Sequence, residues 1–270
     1  MSKTSKKSGR RPHKKSKRPV PGSADALLRN VGHAGKKKGP KKKPLVVVAG
    51  DSMQMLSSQQ LAAPELQGIP RGKRILVVGD GDFSFSVALA ISLGGSTLTC
   101  STFEPDLPEL QDKYPSVLTN IDVLKNCGAT ICYGVDGRKL EEYHDWSTAH
   151  FDIIIFNFPH AGGQEIAANQ ALILDFLRSS RNVLSAKGIV RLALRDTPFY
   201  AKWKVPDLAD QAGFFLKAAP VFDVASFCGY APVRTKSANL TRGAPTAEGS
   251  ARVYILVKTK VPAAPVPSQE

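Results

Sequence analysis

From about residue 72 the chain alternates short apolar runs with longer amphipathic stretches, the pattern of successive βαβ units that assemble a mostly parallel sheet. Apolar runs at 74–78, 97–103, 130–134 and 151–156 read as four strands. The last of these is an unbroken, β-branched-rich run suited to a strand covered on both faces. Between them the spacing predicts helices over 84–93, 107–113 and 117–127, the last stopped by Gly128. A long helix over 164–184 leads past Gly188 to a fifth strand at 189–194, and a helix over 205–212 ends before Gly213. Strands at 214–221 and 252–257 follow with no full crossover helix between them, which implies an antiparallel hairpin at the sheet edge. The fold class is therefore α/β, Rossmann-like, with a seven-stranded, mostly parallel sheet.

The segments outside 72–260 have a different character. Residues 1–43 contain sixteen lysines and arginines against one acid, Asp25, for a net of +15, while the remainder carries 21 basic and 22 acidic residues. With almost no large apolar side chains, 1–43 is expected to be a disordered basic tail able to neutralise RNA phosphates without reading sequence. Its clusters at Lys6-Lys7, Lys14-Lys15, Lys36 to Lys38 and Lys41 to Lys43 also resemble nuclear import signals. Residues 44–71 read as a connector with a helix near 53–62, and the Pro- and Ala-rich stretch 261–270 as a second disordered tail. No apolar run reaches the roughly 18 residues that span a membrane, and the basic start lacks the apolar core of a secretory signal. An intracellular chain is expected. Cys100, Cys127, Cys132 and Cys228 form no CxxC pair and the histidines form no HxxxH, so neither a disulfide framework nor a metal site is indicated.

The chemistry concentrates at the strand ends. The first strand empties into Gly79-Asp80-Gly81-Asp82-Phe83-Ser84. Its glycines permit close backbone approach to a nucleotide cofactor, but Asp80 and Asp82 would repel a pyrophosphate at the following helix N-terminus. S-adenosylmethionine, with its cationic sulfonium and amino group, suits such a loop better than NAD or ATP. Glu104 follows the second strand, where an acid can meet ribose hydroxyls, and Asp136 follows the third, within reach of an adenine amino group. After the fourth strand comes the proline-fixed loop Asn157-Phe158-Pro159-His160-Ala161-Gly162-Gly163, on the edge where open α/β sheets bind ligands.

The motifs GDGDFSFS (79–86), GVDGRKL (134–140), FNFPHAGG (156–163) and FCGYAPVRTK (227–236), in this order, resemble the eukaryotic large-subunit rRNA uridine-N3 methyltransferase family over residues 72–258. The resemblance implies a class I S-adenosylmethionine-dependent fold, methyl transfer to N3 of a uridine in large-subunit rRNA, and residence in the nucleus and nucleolus. The chain departs from that pattern at Asp80, where relatives often carry Glu, and at Tyr230-Ala231-Pro232-Val233, where a His-containing stretch is usual.

Within this reading the cofactor residues are Gly79, Asp80, Gly81, Asp82, Phe83, Ser84, Glu104, Asp136 and Asn157. The uridine N3 carries a proton, and Asp82, His160 and Asp196 are the candidates to remove it or to stabilise the anion. Asn157 would meet the base through its amide, while Phe158, Phe199 and Tyr200 are candidates to stack on it. Among the arginines that could grip phosphate, Arg195 and Arg234 are favoured over Arg191, and Tyr200 completes the RNA-binding set. The expected partners are large-subunit rRNA or a pre-ribosome, met by the domain and by the basic tail. Two rivals remain: a non-catalytic RNA-binding assembly factor on the same fold, and a dinucleotide-dependent oxidoreductase, which the acidic loop and the terminal hairpin disfavour.

Overall fold

The computed structural model describes residues 46–49, 52–55, 64–143, 146, 150–230, 232 and 250–259. Arg234 and both expected tails, 1–43 and 261–270, lie outside the described residues.

Seven strands form one sheet: β1 (Ile75–Val78), β2 (Leu98–Ser101), β3 (Thr130–Cys132), β4 (Phe151–Asn157), β5 (Leu184–Arg195), β6 (Phe214–Ala218) and β7 (Ala251–Lys258). Their spatial order is β6-β7-β5-β4-β1-β2-β3. β1 pairs in parallel with β2 and β4, and β5 in parallel with β4. β7 runs antiparallel to both β5 and β6. The expected edge hairpin is therefore present, with a refinement: the last strand is inserted inside the sheet and the sixth forms the outer edge.

The apolar pattern explains the layering. Ile75 to Val78 are all buried because β1, at the sheet's middle, is covered on both faces. One face is covered by α1 (Ser84–Leu93) and α3 (Val117–Asn126), with Phe83, Phe85, Leu89, Ile121 and Leu124 in its core. Every residue of α1 is buried, so its sequence is apolar all round, with serines as its polar members. The short helix α2 (Leu107–Lys113) precedes α3 and is capped by Asp106, whose side chain accepts from the Glu109 N–H. The other face is covered by α4 (Ile166–Val183) and α6 (Val205–Gln211), with Ile173, Phe176, Leu177 and Trp203 in its core; the four-residue helix α5 (Pro198–Ala201) leads into α6.

Two expectations upstream are corrected. Ser52–Met55 pairs antiparallel with Val46–Ala49, so no helix opens at 53, and residues 56–62 of that expected helix lie outside the described residues. The domain also begins before Gly72: Glu65–Leu66 pairs with Ile69–Pro70, Ile69 is buried in the α1-side core, and Arg191 Nη2 donates to the Gln67 carbonyl at 2.9 Å. One buried isoleucine amid Gly and Pro gives no periodic pattern, so this boundary is not legible in the sequence. β5 likewise starts at Leu184 instead of 189, directly from the end of α4.

Candidate active site

The loops after β1, β2, β3 and β4 converge on the carboxyl edge of the sheet. The glycine loop is shaped by the helix it feeds. α1 has Phe83 at its N-cap in the left-handed conformation (φ 62°), and no side chain of that residue can cap the free N–H groups. The two acids do so instead. Asp82 Oδ1 accepts from the Ser84 N–H at 3.0 Å and from its hydroxyl at 2.7 Å. Asp80 Oδ2 accepts from the Ser86 N–H at 2.8 Å and its hydroxyl at 2.6 Å. Burial, together with the nearby Asp82 charge, pushes Asp80 up to about 7, against the pull of the Ser86 hydrogen bonds. From α3, Asn120 Nδ2 donates to the Asp82 carbonyl at 2.7 Å and pins the loop from outside. Gly79 has φ 64°, and a Cβ there would meet Phe156 Cε2 at 2.9 Å, so the turn excludes any side chain.

Glu104 is buried at the end of β2 and ion-paired with Lys113 of α2. Its carbonyl accepts from the Gly134 N–H at 2.7 Å, and the Val135 N–H donates to the Thr102 carbonyl at 2.9 Å, so the β2 and β3 loops are tied together. Asp136 is gripped by Arg138 through Nε (3.0 Å) and Nη2 (2.7 Å), which holds its carboxyl below the usual range. The Asp136 side chain is thus committed to Arg138, and its backbone stays at the carboxyl edge.

Asn157 ends β4, and its Nδ2 is buried with no hydrogen-bond partner among the described residues. A buried amide donor left without an acceptor is costly and marks a place for a ligand. Phe158 follows at φ 52°, turning the chain sharply, and His160 is exposed with its ring 5.9 Å from that of Trp203. Tyr200 lies 4.7 Å from the same indole and Phe199 6.0 Å. The structure thus gathers His160, Phe199, Tyr200 and Trp203 beside the β4 loop, with Trp203 as the buried anchor.

Several sequence assignments change. Phe83 is fully buried, edge-on to Tyr133, and the Ser84 hydroxyl is bonded to Asp82, so both serve the loop and their side chains do not line a cofactor surface. Phe158 packs against Phe222 at 5.5 Å, which removes it from the stacking candidates. Asp196 pairs with Arg252 Nε at 2.7 Å on the surface and drops out of the candidate bases. Arg191 is buried, held on the 64–71 hairpin, and lowered to about 10 by burial, consistent with its omission from the phosphate set. Arg195 ends β5, half-buried.

Four contributors were not anticipated. Tyr230 of the FCGY segment packs edge-on against Phe85 at 5.1 Å, and its phenol is raised by burial and by the Asp80 and Asp82 charges, which brings the segment after β6 back to the glycine loop. Phe103, beside Glu104, is 62% exposed at the carboxyl edge. Asn120 and Asn169 are buried amides that fix the two loops. Each occupies an apolar-stripe position, Asn120 with Val117, Ile121 and Leu124, and Asn169 with Ile173, Phe176 and Leu177. A polar residue on such a stripe was the available signal.

The strand order, with an antiparallel seventh strand inserted between the fifth and sixth, and the acid-bearing loops at its carboxyl edge define a class I methyltransferase fold and not a dinucleotide-binding one, whose sixth strand follows the fifth directly. Residues 76–234 match the family model described as rRNA (uridine-N3-)-methyltransferase BTM5-like, and the chain belongs to that family. Heavy metal-associated isoprenylated plant protein 41 of Arabidopsis thaliana is 32% identical over 58% of this chain and 32% of its own length. An uncharacterized Arabidopsis thaliana protein is 30% identical over 58% of this chain and 79% of its own. The 25S rRNA (uridine(2634)-N(3))-methyltransferase of Saccharomyces cerevisiae is 24% identical over 74% of this chain and 77% of its own. The chain thus spans about a third of the first relative and over three quarters of the other two.

Proposed function

We propose that this protein is an S-adenosylmethionine-dependent methyltransferase that modifies N3 of a uridine in large-subunit rRNA. The observation that carries the reading is the family match over 76–234, which spans every strand-end loop described above. The yeast relative's stated reaction, on 25S rRNA, supports the choice of uridine and of the large subunit.

The residues fit the cofactor on structural grounds. Gly79 keeps side chains off the end of β1, Glu104 offers a buried carboxylate after β2, and Asn157 Nδ2 lacks an acceptor among the described residues. Gly79, Asp80, Gly81 and Asp82 would hold it by the loop backbone, Glu104 by the ribose hydroxyls, Asp136 by its backbone, and Asn157 at the shared boundary with the base. When bound, S-adenosylmethionine supplies an electrophilic methyl group. The protein's own contribution is to hold the uridine N3 in line with that methyl and to exclude competing water. His160, Phe199 and Tyr200 flank the place the base would enter, and Arg195 and Arg234 would meet the phosphates. Nucleolar residence and delivery by the basic 1–43 segment belong to the same reading.

The Glu104–Lys113 pair favours a second reading, an RNA-binding assembly factor without catalysis, because the acid is already occupied. Isothermal titration with S-adenosylmethionine separates them. Saturable binding that Glu104→Gln weakens supports the enzyme; no binding to the intact chain sinks it.

A further inference from the structure

The β4–α4 loop is clamped by one side chain from the helix that follows it. Asn169 is fully buried and uses its amide on three backbone groups. Its Oδ1 accepts from the Ala161 N–H at 2.9 Å, and its Nδ2 donates to the carbonyls of Gly163 at 3.1 Å and Glu165 at 2.8 Å. Ala161 and Gly163 flank Gly162, which sits at φ 86°, outside the range most side chains adopt. Clamping both neighbours fixes the Gly162 peptide plane. Its N–H then donates to His160 Nδ1 at 3.1 Å.

That last bond has a chemical meaning. An imidazole nitrogen that accepts a hydrogen bond bears no proton, so the neutral ring carries its proton on Nε2. A base needs the opposite, a free lone pair facing the acid it deprotonates, and here Nδ1 is engaged by the backbone.

We propose that Asn169 is a positioning residue that, through the Gly162 N–H, holds His160 as the Nε2–H tautomer, making His160 a hydrogen-bond donor to a carbonyl oxygen of the target pyrimidine and not the base for its N3 proton. The identity of that acceptor rests on the functional reading above; the clamp and the tautomer do not. Loss of the N3 proton to solvent water leaves a negative charge shared over O2, N3 and O4. N3 keeps the electron pair and forms the new N–C bond as the bond from methyl to sulfur breaks. A fixed N–H donor at O2 or O4 stabilises the anion as it forms, and its proton stays on Nε2 throughout.

The test uses the full chain labelled with ¹⁵N-histidine, and long-range ¹H–¹⁵N correlation spectra at pH 8. His160 is identified by the signals that vanish in His160→Gln. The wild type should show the Nε2–H pattern. Asn169→Ala should convert it to a mixture of tautomers, and Asn169→Asp, which keeps the acceptor for Ala161 but turns a carboxylate on two carbonyls, should do the same if Asn169→Ala fails to fold. With rRNA and S-adenosylmethionine, both Asn169 variants should lower kcat roughly 10- to 100-fold with cofactor affinity unchanged. His160→Gln, which retains a side-chain N–H donor, should keep more activity than His160→Ala and the wild-type pH profile. A charged or Nδ1–H His160 in the wild type, or an unchanged tautomer in the Asn169 variants, overturns the proposal. If the tautomer behaves as stated but the wild type transfers no methyl group, the functional reading and the carbonyl acceptor fall, while the clamp stands.

Discussion

At the scale of single residues, the two acids of the glycine loop do more for the helix than a motif reading suggests. Both give an oxygen to N–H groups at the start of α1, and Asp80, desolvated and facing the Asp82 charge, is pushed up to about 7. The sign of the resulting pH dependence follows from where the protons are. Between about pH 4 and 7 the native Asp80 holds a proton that the unfolded chain has released, so stability falls as pH rises through that window. Asp80→Asn keeps an acceptor for Ser86 and removes the buried charge. Urea melts should show the variant gaining on the wild type as pH rises from 5 to 8, on the order of 2–4 kcal/mol by pH 8; parallel curves would place the titrating group elsewhere. Glu104 and Asn157 divide the remaining labour. Glu104→Gln should weaken S-adenosylmethionine binding by about 1.5–3 kcal/mol, seen in calorimetry, with the melting temperature little changed. Asn157→Ala should retain cofactor binding and lose methyl transfer, since in the proposed reading its amide would act where base and methyl meet. Full activity in Asn157→Ala would make the loop structural.

At the scale of elements, the hairpin at residues 65–70 is a working part of the domain. Ile69 closes the core beside α1, Arg71 reaches the Ser92 carbonyl at 2.6 Å, and the otherwise expensive buried guanidinium of Arg191 is held by the Gln67 carbonyl. A chain starting at Gly72 should therefore be less stable than one starting at Pro64 by at least the burial of one isoleucine, about 1.5–3 kcal/mol, measured by chemical denaturation. Equal stability would show that the hairpin merely rests on the domain. The major helices and all seven strands were legible in the sequence because apolar periodicity is a local record of what each element buries. The site was legible only in part. Strand-end acids announce themselves, whereas the turning inward of Asp80 and Asp82, the packing of Phe158 on Phe222 and the reach of Asp196 to Arg252 depend on contacts between distant segments. Asn120 and Asn169 were visible as polar residues on apolar stripes, but not what they hold.

At the scale of the whole molecule, the charge is as unevenly distributed as the chemistry. The net of +15 over residues 1–43 sits on a chain whose remainder is close to neutral. Removing that segment should weaken rRNA binding and flatten its dependence on salt, leaving S-adenosylmethionine affinity and thermal stability unchanged, because counterion release scales with the phosphates neutralised. Identical salt slopes with and without it would assign the segment to import or solubility. The most direct test of the central claim is nucleoside mass spectrometry of large-subunit rRNA, taken from cells lacking the protein and incubated with the purified chain and S-adenosylmethionine. The account predicts that one 3-methyluridine, missing from that rRNA, is restored by the wild type and not by Asn157→Ala. Undiminished 3-methyluridine in the cells lacking the protein, or no methylated uridine formed by a chain that binds the cofactor, would contradict it.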